Sequence, residues 1–301
     1  MKGRPSGRPP QGEALAAWGL WAAVLTAIVV TYARLDPVDL YHVSRDGLDG
    51  GLSRALVEAH FPVALAAIAL ALVAMAVLER RAWWVVAPAI GLCAVTAWPG
   101  VVDQDDLDAR WINAVPAAGV ALSLGLTVAA ARRAGPGLAS PLPFDRVRIT
   151  IAGLTLFVSI PWISALLGFY LPEGLFVMDR PGVENGESIA AVHLGEHHGF
   201  MGTLIVWTAL LLSRPAATIR GRLGTVVRLY LSVAFAYGAV NMTQDAWNEQ
   251  LWKRDLVDVQ IPSALLPRLA PIWLVTLGLA AVVALVLARE TRPPVASVAV
   301  S

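Results

Sequence analysis

The chain has 301 residues, of which 57% are hydrophobic and only 15% are charged. A soluble domain carries about 25% charged residues, so this composition excludes an ordinary soluble protein and also a disordered one. The single cysteine, Cys93, excludes an intrachain disulfide, a CxxC redox pair and a cysteine-based zinc site, and a formal net charge of +1 gives no reason to expect a nucleic-acid partner.

Transmembrane helices are predicted wherever about 20 apolar residues follow one another with few charges, because that length crosses the hydrocarbon core. Eight such spans occur, at residues 14–33, 59–78, 82–98, 111–131, 150–170, 194–213, 223–243 and 269–288. The predicted fold is therefore all-α: a polytopic integral membrane protein with a bundle of eight transmembrane helices. It forms a single domain over 14–288, between a basic tail at 1–13 and a second tail at 289–301.

The distribution of charge predicts the orientation of these helices. When the amino terminus is placed in the cytoplasm, cytoplasmic segments hold 15 of the 23 basic residues but only four of the 22 acids. Cytoplasmic loops are enriched in Lys and Arg, so both termini are expected to be cytoplasmic, in the cell membrane. The extracytoplasmic loops are then the longer ones, at 34–58, 99–110, 171–193 and 244–268, with a short interfacial helix expected over Gly51–Glu58.

The first motif with possible chemistry lies at the extracytoplasmic start of the sixth span, His193-Leu-Gly-Glu196-His197-His198. On a helix His193, Glu196 and His197 share an arc of about 100°, whereas His198 points about 100° away from His197. The spacing matches the inverted zincin pattern, in which two imidazoles bind the metal and a glutamate acts as base. It also matches a His-x-x-x-His-His spacing of membrane di-iron enzymes, but the remaining motifs of neither family are visible. The alternative is an interfacial helix end whose histidines are simply hydrogen-bonded.

The second motif ends the seventh span. We call it the polar stripe, and its members are Asn241, Gln244, Asp245, Asn248 and Glu249. The first four share an arc of about 100° on an otherwise apolar helix, with Glu249 at its edge. Lipid cannot satisfy such groups, so the stripe is predicted to face the bundle or a cleft. Ionisable residues at membrane depth are candidates for function. The alternative is a solvated helix end that faces Lys253 and Arg254.

The two motifs are predicted to lie at one membrane level on antiparallel neighbouring helices. His193, His197 and Glu249 are then candidate ligands of a divalent transition metal, namely zinc, iron or manganese. Glu196 and Asp245 are candidate catalytic groups, with His198, Asn241, Gln244 and Asn248 as further polar residues of the site. One of the histidines His193 and His197 is expected within bonding or water-bridged reach of Asp245 or Glu249.

Three functions are compatible with this pattern. The first is a membrane-embedded enzyme that acts on a lipid or lipid-linked substrate from the extracytoplasmic side. The second is a transporter or channel for a small solute, which requires polar sites near the midplane. The inner halves of the spans offer only scattered hydroxyls there, such as Thr127, Thr155 and Ser232. The third is an accessory subunit without chemistry of its own.

Overall fold

The structure is a computed structural model that describes residues 8–34, 51–98, 101, 109–167, 178–184, 187–192, 199–265 and 269–291. This part of the chain is a helical bundle with one β-hairpin. The helices are α1 (Gly12–Tyr32), α2 (Gly51–Glu58), α3 (Ala64–Leu78), α4 (Trp83–Ala94), α5 (Ala114–Ala134), α6 (Asp145–Leu166), α7 (Met201–Thr218), α8 (Gly221–Trp247) and α9 (Pro271–Glu290). Two π-helical turns, Ala59–Val63 and Asn248–Trp252, precede α3 and follow α8.

Helices occur at all eight predicted spans. Six are long and apolar enough to cross a membrane: Gly12–Thr31, Ala55–Leu78, Trp111–Ala134, Asp145–Ser164, Gly221–Trp252 and Pro271–Glu290. The third predicted span is a shorter apolar helix, Trp83–Ala97, and the sixth is α7 with 18 residues. The prediction of a helical bundle whose helices are long and apolar enough to cross a membrane is confirmed, and the number of crossings stays a prediction.

Ion pairs join several helix ends at one end of the bundle. Arg214 Nη1 lies 2.9 Å from Glu13 Oε1 and its Nε lies 3.2 Å from Asp145 Oδ1. Arg148 Nη2 lies 2.5 Å from Glu290 Oε2, and its Nη1 lies 3.2 Å from Asp145 Oδ1. We call these five residues the charge cluster. The cluster therefore links the start of α1 to the end of α9.

The helices differ strongly in burial. Within its most apolar window the helix Ala55–Leu78 is 83% buried, whereas the corresponding windows of α6 and α9 are only 22% and 17% buried. The alanine-rich α3 is therefore the centre of the bundle, since small side chains let neighbouring helices approach closely. The outer helices α6 and α9 expose apolar faces that suit contact with lipid.

The segment Gly51–Glu58 is a helix, as expected, and its position at the membrane interface stays a prediction. Ser53, Ala55 and Val57 are buried, and α2 packs along α1. The helix then continues through the π turn into α3. Pro62 lies within that turn, and because proline lacks an N–H it interrupts regular α-helical hydrogen bonding, which a π turn accommodates.

A β-hairpin, which the sequence analysis did not predict, lies in the connection between α6 and α7. Strands β1 (Met178–Glu184) and β2 (Glu187–Val192) pair in antiparallel register, with Glu184 opposite Glu187. They lie on either side of Asn185-Gly186, a residue pair that favours tight hairpin turns. The hairpin therefore gives local order to a connection that was predicted only as a loop.

Candidate active site

Helices α7 and α8 are close antiparallel neighbours, as predicted. A Cβ atom at Gly202 would lie 2.7 Å from the carbonyl oxygen of Gly238, and one at Gly238 would lie 2.5 Å from the carbonyl oxygen of Gly202. Neither position has room for a larger residue. This glycine contact brings the two backbones together one to two turns below the polar stripe.

The polar stripe faces the protein, which confirms the prediction made from its helical periodicity. The exposed fractions of Asn241, Asp245, Asn248 and Glu249 are 2%, 7%, 5% and 8%. Helix α8 runs to Trp247, past the predicted end at residue 243, and the π turn continues it. All five stripe residues are therefore helical and held against the bundle.

Asn248 fixes the segment that follows α8. Its Nδ2 donates to the carbonyl oxygen of Ile261 at 3.0 Å, and its Oδ1 accepts from the amide of Ile261 at 3.0 Å. Trp247 Nε1 donates to the carbonyl oxygen of Val259 at 2.7 Å, and the Tyr237 hydroxyl donates to that of Leu265 at 3.1 Å. Asn248 is thus an anchor for residues 256–265, a role that the sequence pattern did not distinguish from a role in the site.

Two amide oxygens of the stripe retain hydrogen-bonding capacity. Asn241 Nδ2 donates to the carbonyl oxygen of Tyr237 at 2.9 Å. Among the described residues, neither Asn241 Oδ1 nor Gln244 Oε1 has a hydrogen-bond partner, although both atoms are buried. A buried acceptor without a donor is costly. These oxygens therefore mark positions where a water molecule or a ligand donor would be stabilised.

Glu249 has features of both interpretations of this helix end, the buried polar site and the solvated helix end that faces basic residues. Its Oε1 lies 2.7 Å from Lys253 Nζ, which is the ion pair expected of a helix end that faces basic residues. Glu249 is nevertheless only 8% exposed, so it is not a solvated surface acid. The pair places one buried carboxylate and one ammonium group at the edge of the stripe.

The histidine motif lies outside the described residues, so the structure does not test His193, Glu196, His197 and His198. The described chain resumes at Gly199, against Asp245. A Cβ atom at Gly199 would lie 2.5 Å from Asp245 Oδ2 and would overlap the indole ring of Trp162. The chain therefore enters α7 in direct contact with the central carboxylate of the stripe, and glycine is the residue that permits this contact.

Beside the stripe, α6 and the end of α8 enclose a cleft of about 570 Å³. Its lining is almost entirely apolar, and Trp162 and Glu249 belong to it. The size lies within the range of about 300–1,000 Å³ that is typical of small-molecule sites. The cleft and the stripe therefore share a border at these two side chains.

The sequence pattern did not assign a role to two buried residues, of which only Trp162 borders the cleft. Trp162 is 4% exposed and lies between the cleft and Gly199, and only its position within a span hinted at this. His60 is fully buried, and its Nδ1 is hydrogen-bonded to the carbonyl oxygen of Val57. The proline two positions later was the available signal, since π turns occur often at functional sites.

An aromatic layer lies beneath the stripe. The rings of Phe61 and Tyr237 meet edge to face with centroids 5.8 Å apart, and Tyr237 and Trp273 lie 6.0 Å apart. This layer joins the π turn before α3, α8 and α9. The polar groups of the stripe are therefore bordered on this side by packed aromatic rings.

A metal centre stays a prediction. Within the part of the chain that the structure describes, no group of three or more His, Cys, Asp or Glu side chains is arranged to hold a metal ion. Two of the three proposed ligands, His193 and His197, lie outside that part. No protein-family model, curated protein or solved structure matches the chain, so function has to be argued from the site.

Proposed function

We propose that this protein is a multi-pass enzyme of the cell membrane that acts on a lipid or lipid-linked substrate at the extracytoplasmic ends of α7 and α8. His193, His197 and Glu249 bind a divalent transition metal (zinc, iron or manganese), and Glu196 and Asp245 transfer protons. The observation that carries the proposal is the burial of Asp245 and Glu249 within the candidate span Gly221–Trp252, beside an apolar cleft. Charged groups at that depth are costly and mark functional sites.

The contact between Gly199 and Asp245 supports the pairing of the two motifs. His198 directly precedes Gly199, and consecutive Cα atoms are about 3.8 Å apart. Gly199, which touches Asp245, is thus the direct continuation of the histidine motif along the chain.

The chemistry that this set of groups suits is hydrolysis or group transfer. A divalent metal would lower the pKa of a bound water molecule and polarise an ester or phosphoryl oxygen. Asp245 would accept the proton of the attacking group, and Glu196 would protonate the leaving group. The two open amide oxygens of Asn241 and Gln244 would orient hydroxyl groups of the substrate.

The polar groups in the middle of the bundle favour an enzyme over a transporter. Trp18 Nε1 donates to Thr127 Oγ1 at 3.0 Å, and Trp207 Nε1 donates to Thr155 Oγ1 at 2.7 Å. Ser232 donates to the carbonyl oxygen of Arg228 at 2.7 Å. These hydroxyls are engaged in hydrogen bonds within or between helices, so they do not form a polar route among the described residues.

The charges at the end of the bundle that holds the charge cluster support the proposed orientation. Each of the four acids assigned to the cytoplasmic side, Glu13, Glu79, Asp145 and Glu290, is paired with an arginine. Eleven basic residues remain in excess there, which is the pattern of a cytoplasmic face. Membrane-impermeant thiol labelling tests this in a Cys93→Ala background: Ser188→Cys in β2 is expected to label from outside, and Ser140→Cys only after permeabilisation. The reverse result would overturn the orientation.

The activity itself is tested with purified protein in detergent. Wild type is incubated with an extract of membrane lipids, and mass spectrometry records which lipids are consumed or formed. The metal content of the same samples is measured by elemental analysis. We expect lipid conversion and a bound transition metal in wild type, and loss of both in His193→Ala/His197→Ala.

Glu79→Gln is the matched control for an Asp245→Asn variant, because the Glu79 side chain is 67% exposed at the other end of the bundle. Conversion is expected to persist in Glu79→Gln and to disappear in Asp245→Asn. A wild-type protein that holds no metal and converts no lipid would overturn the proposal. Conversion that survives in both variants would remove Asp245 from the catalytic set.

A further inference from the structure

The cleft between α6 and α8 lies within two membrane-spanning segments. Its wall on α6 runs from Phe157 to Trp162, inside the candidate span Asp145–Ser164, and its wall on α8 runs from Met242 to Leu251, inside Gly221–Trp252. The medium at that depth is hydrocarbon rather than water. An open apolar cleft at that depth therefore adjoins the hydrocarbon chains of the bilayer.

The α6 wall shows that the cleft opens sideways. Phe157, Val158 and Ile160 are 73%, 40% and 46% exposed, although they lie in the middle of an apolar helix. The other wall includes Ala246, whose small side chain leaves room between α6 and α8. A hydrocarbon chain can thus reach the cleft from the bilayer without passing through water.

The two ends of the cleft differ in polarity. Phe157 and Met242 lie toward the membrane interior, whereas Trp162 and Glu249 lie toward the end of the bundle. Glu249 carries its partner Lys253 at 2.7 Å, and Trp162 abuts Gly199 and, through it, Asp245. An amphiphile in the cleft is therefore held with its chain inward and its head beside the polar stripe.

We infer that this cleft binds the hydrocarbon chain of a bilayer lipid and delivers the lipid's head to the polar stripe by lateral access between α6 and α8. The inference rests on the proposed function for its purpose, but the binding site is testable without any activity. It also assigns a depth order: the chain terminus lies beside Phe157 and Met242, and the first carbons of the chain lie beside Trp162 and Glu249.

The test uses full-length protein in nanodiscs of phosphatidylcholine with a small fraction of phosphatidylglycerol that carries a diazirine on one acyl chain. One probe has the diazirine at the chain terminus and a second has it near the carbonyl. After irradiation, mass spectrometry maps the adducts. The reference surface is the lipid-facing side of α9, where Leu274, Val282 and Leu285 are 74%, 57% and 64% exposed.

We expect the cleft residues to be labelled about fivefold or more above the α9 surface, which is the ratio that about 1 kcal/mol of preferential binding produces. The terminal probe is expected to label the Phe157 and Met242 level, and the carbonyl probe the level of Trp162 and Glu249. Ala246→Trp fills the cleft, so it should reduce labelling there to the level of α9. Its matched control is Ala281→Trp, on the exposed face of α9, which should leave cleft labelling unchanged.

If Ala246→Trp does not yield a monodisperse protein, Met242→Trp fills the inner half of the cleft and should remove only the adducts of the terminal probe. Equal labelling of the cleft and of α9, or no response to either filling variant, would show ordinary lipid contact and overturn the inference. Preferential labelling without lipid conversion would support lipid binding in the cleft and contradict the proposed enzymatic function. Lipid conversion without preferential labelling would support the enzymatic function and contradict lipid access through the cleft.

Discussion

The charge cluster at one end of the bundle and the polar stripe at the other are both buried, yet they are built differently. In the cluster every carboxylate faces a guanidinium group, and Arg148 alone reaches Glu290, Asp145 and the Ser213 hydroxyl at 2.7 Å. The side chains of the stripe are amides and acids that follow one another along α8 and the π turn. Two of the amide oxygens accept no hydrogen bond from the described residues. Charged groups that hold helices together are paired between helices, whereas groups that can bind a ligand retain unused hydrogen-bonding capacity.

The difference also appears in what each region connects. The cluster joins the starts of α1 and α6 to the ends of α7 and α9. Among the described carboxylate oxygens of the cluster, only Glu13 Oε2 accepts no hydrogen bond. The other oxygen of the same carboxylate, Oε1, accepts from both Arg214 and the amide of Ala139. The stripe instead meets a cleft and the start of α7. The first arrangement stabilises the fold, and the second provides a site.

The largest effect on stability is expected from Arg148→Met. The Glu290 side chain is fully buried, so the substitution leaves it without its guanidinium partner, while Asp145 keeps only Arg214. Removing one member of a buried ion pair costs about 3–5 kcal/mol, measurable by denaturant unfolding in detergent. The double variant Arg148→Met/Glu290→Met should regain a large part of the loss, because it removes the stranded charge. A loss below 1 kcal/mol in the single variant would mean that the cluster does not stabilise the fold.

The opposite behaviour is expected of Asp245→Asn. The amide has the same shape as the carboxylate, so the free energy of unfolding should stay within about 1 kcal/mol of wild type. Lipid conversion should fall by about 10²-fold or more, the usual contribution of a general acid or base. A variant that loses stability as Arg148→Met does, yet keeps its activity, would assign Asp245 to the fold.

Asn248→Ala separates the anchoring residue from the rest of the stripe. It leaves the amide and the carbonyl of Ile261 without their partner, which should cost about 1–3 kcal/mol. Hydrogen exchange should accelerate in residues 256–265 and remain unchanged in α7. Thr243→Ala is the control: this hydroxyl only bonds to the carbonyl of Ala239 on an exposed face, and its loss should stay within about 0.5 kcal/mol. Equal exchange in both variants would contradict the anchoring role.

The smallest effect on stability is expected for the exposed ion pair of Arg8 and Glu79, near the charge cluster. Arg8 Nη2 lies 3.0 Å from Glu79 Oε1, but the two side chains are 42% and 67% exposed. Exposed pairs contribute about 0–1 kcal/mol, and salt screens them. Arg8→Ala should therefore change the unfolding free energy by less than 1 kcal/mol, and by less again at high salt. A cost similar to that of Arg148→Met would show that this pair belongs to the cluster.

The spans and the buried face of the stripe were predictable because each depends on one helix alone. A run of apolar residues sets a span, and the rotation of about 100° per residue puts Asn241, Asp245 and Asn248 on one face. The approach of Gly199 to Asp245 was not predictable, because it depends on how α7 is rotated against α8. The cleft depends in the same way on the distance between α6 and α8.

The charge cluster was predictable in part from the sequence. Counting charges placed its five residues at one end of the bundle, but the pairings required contacts across 142 residues between Arg148 and Glu290 and 201 residues between Glu13 and Arg214. The hairpin was missed for a different reason, since seven residues of β1 include Pro181 and Gly182, which are uncommon in strands. Its signal in the sequence was the Asn185-Gly186 pair, which favours tight hairpin turns.

The long separation within the charge cluster has a consequence for biosynthesis. Arg148 leaves the ribosome 142 residues before Glu290, so this ion pair forms only after α9 has been synthesised. Until then Asp145, three residues away, is the nearest acid for Arg148 within the cluster. Pairing of Arg148 with Glu290 is therefore a late step in the folding of this end of the bundle.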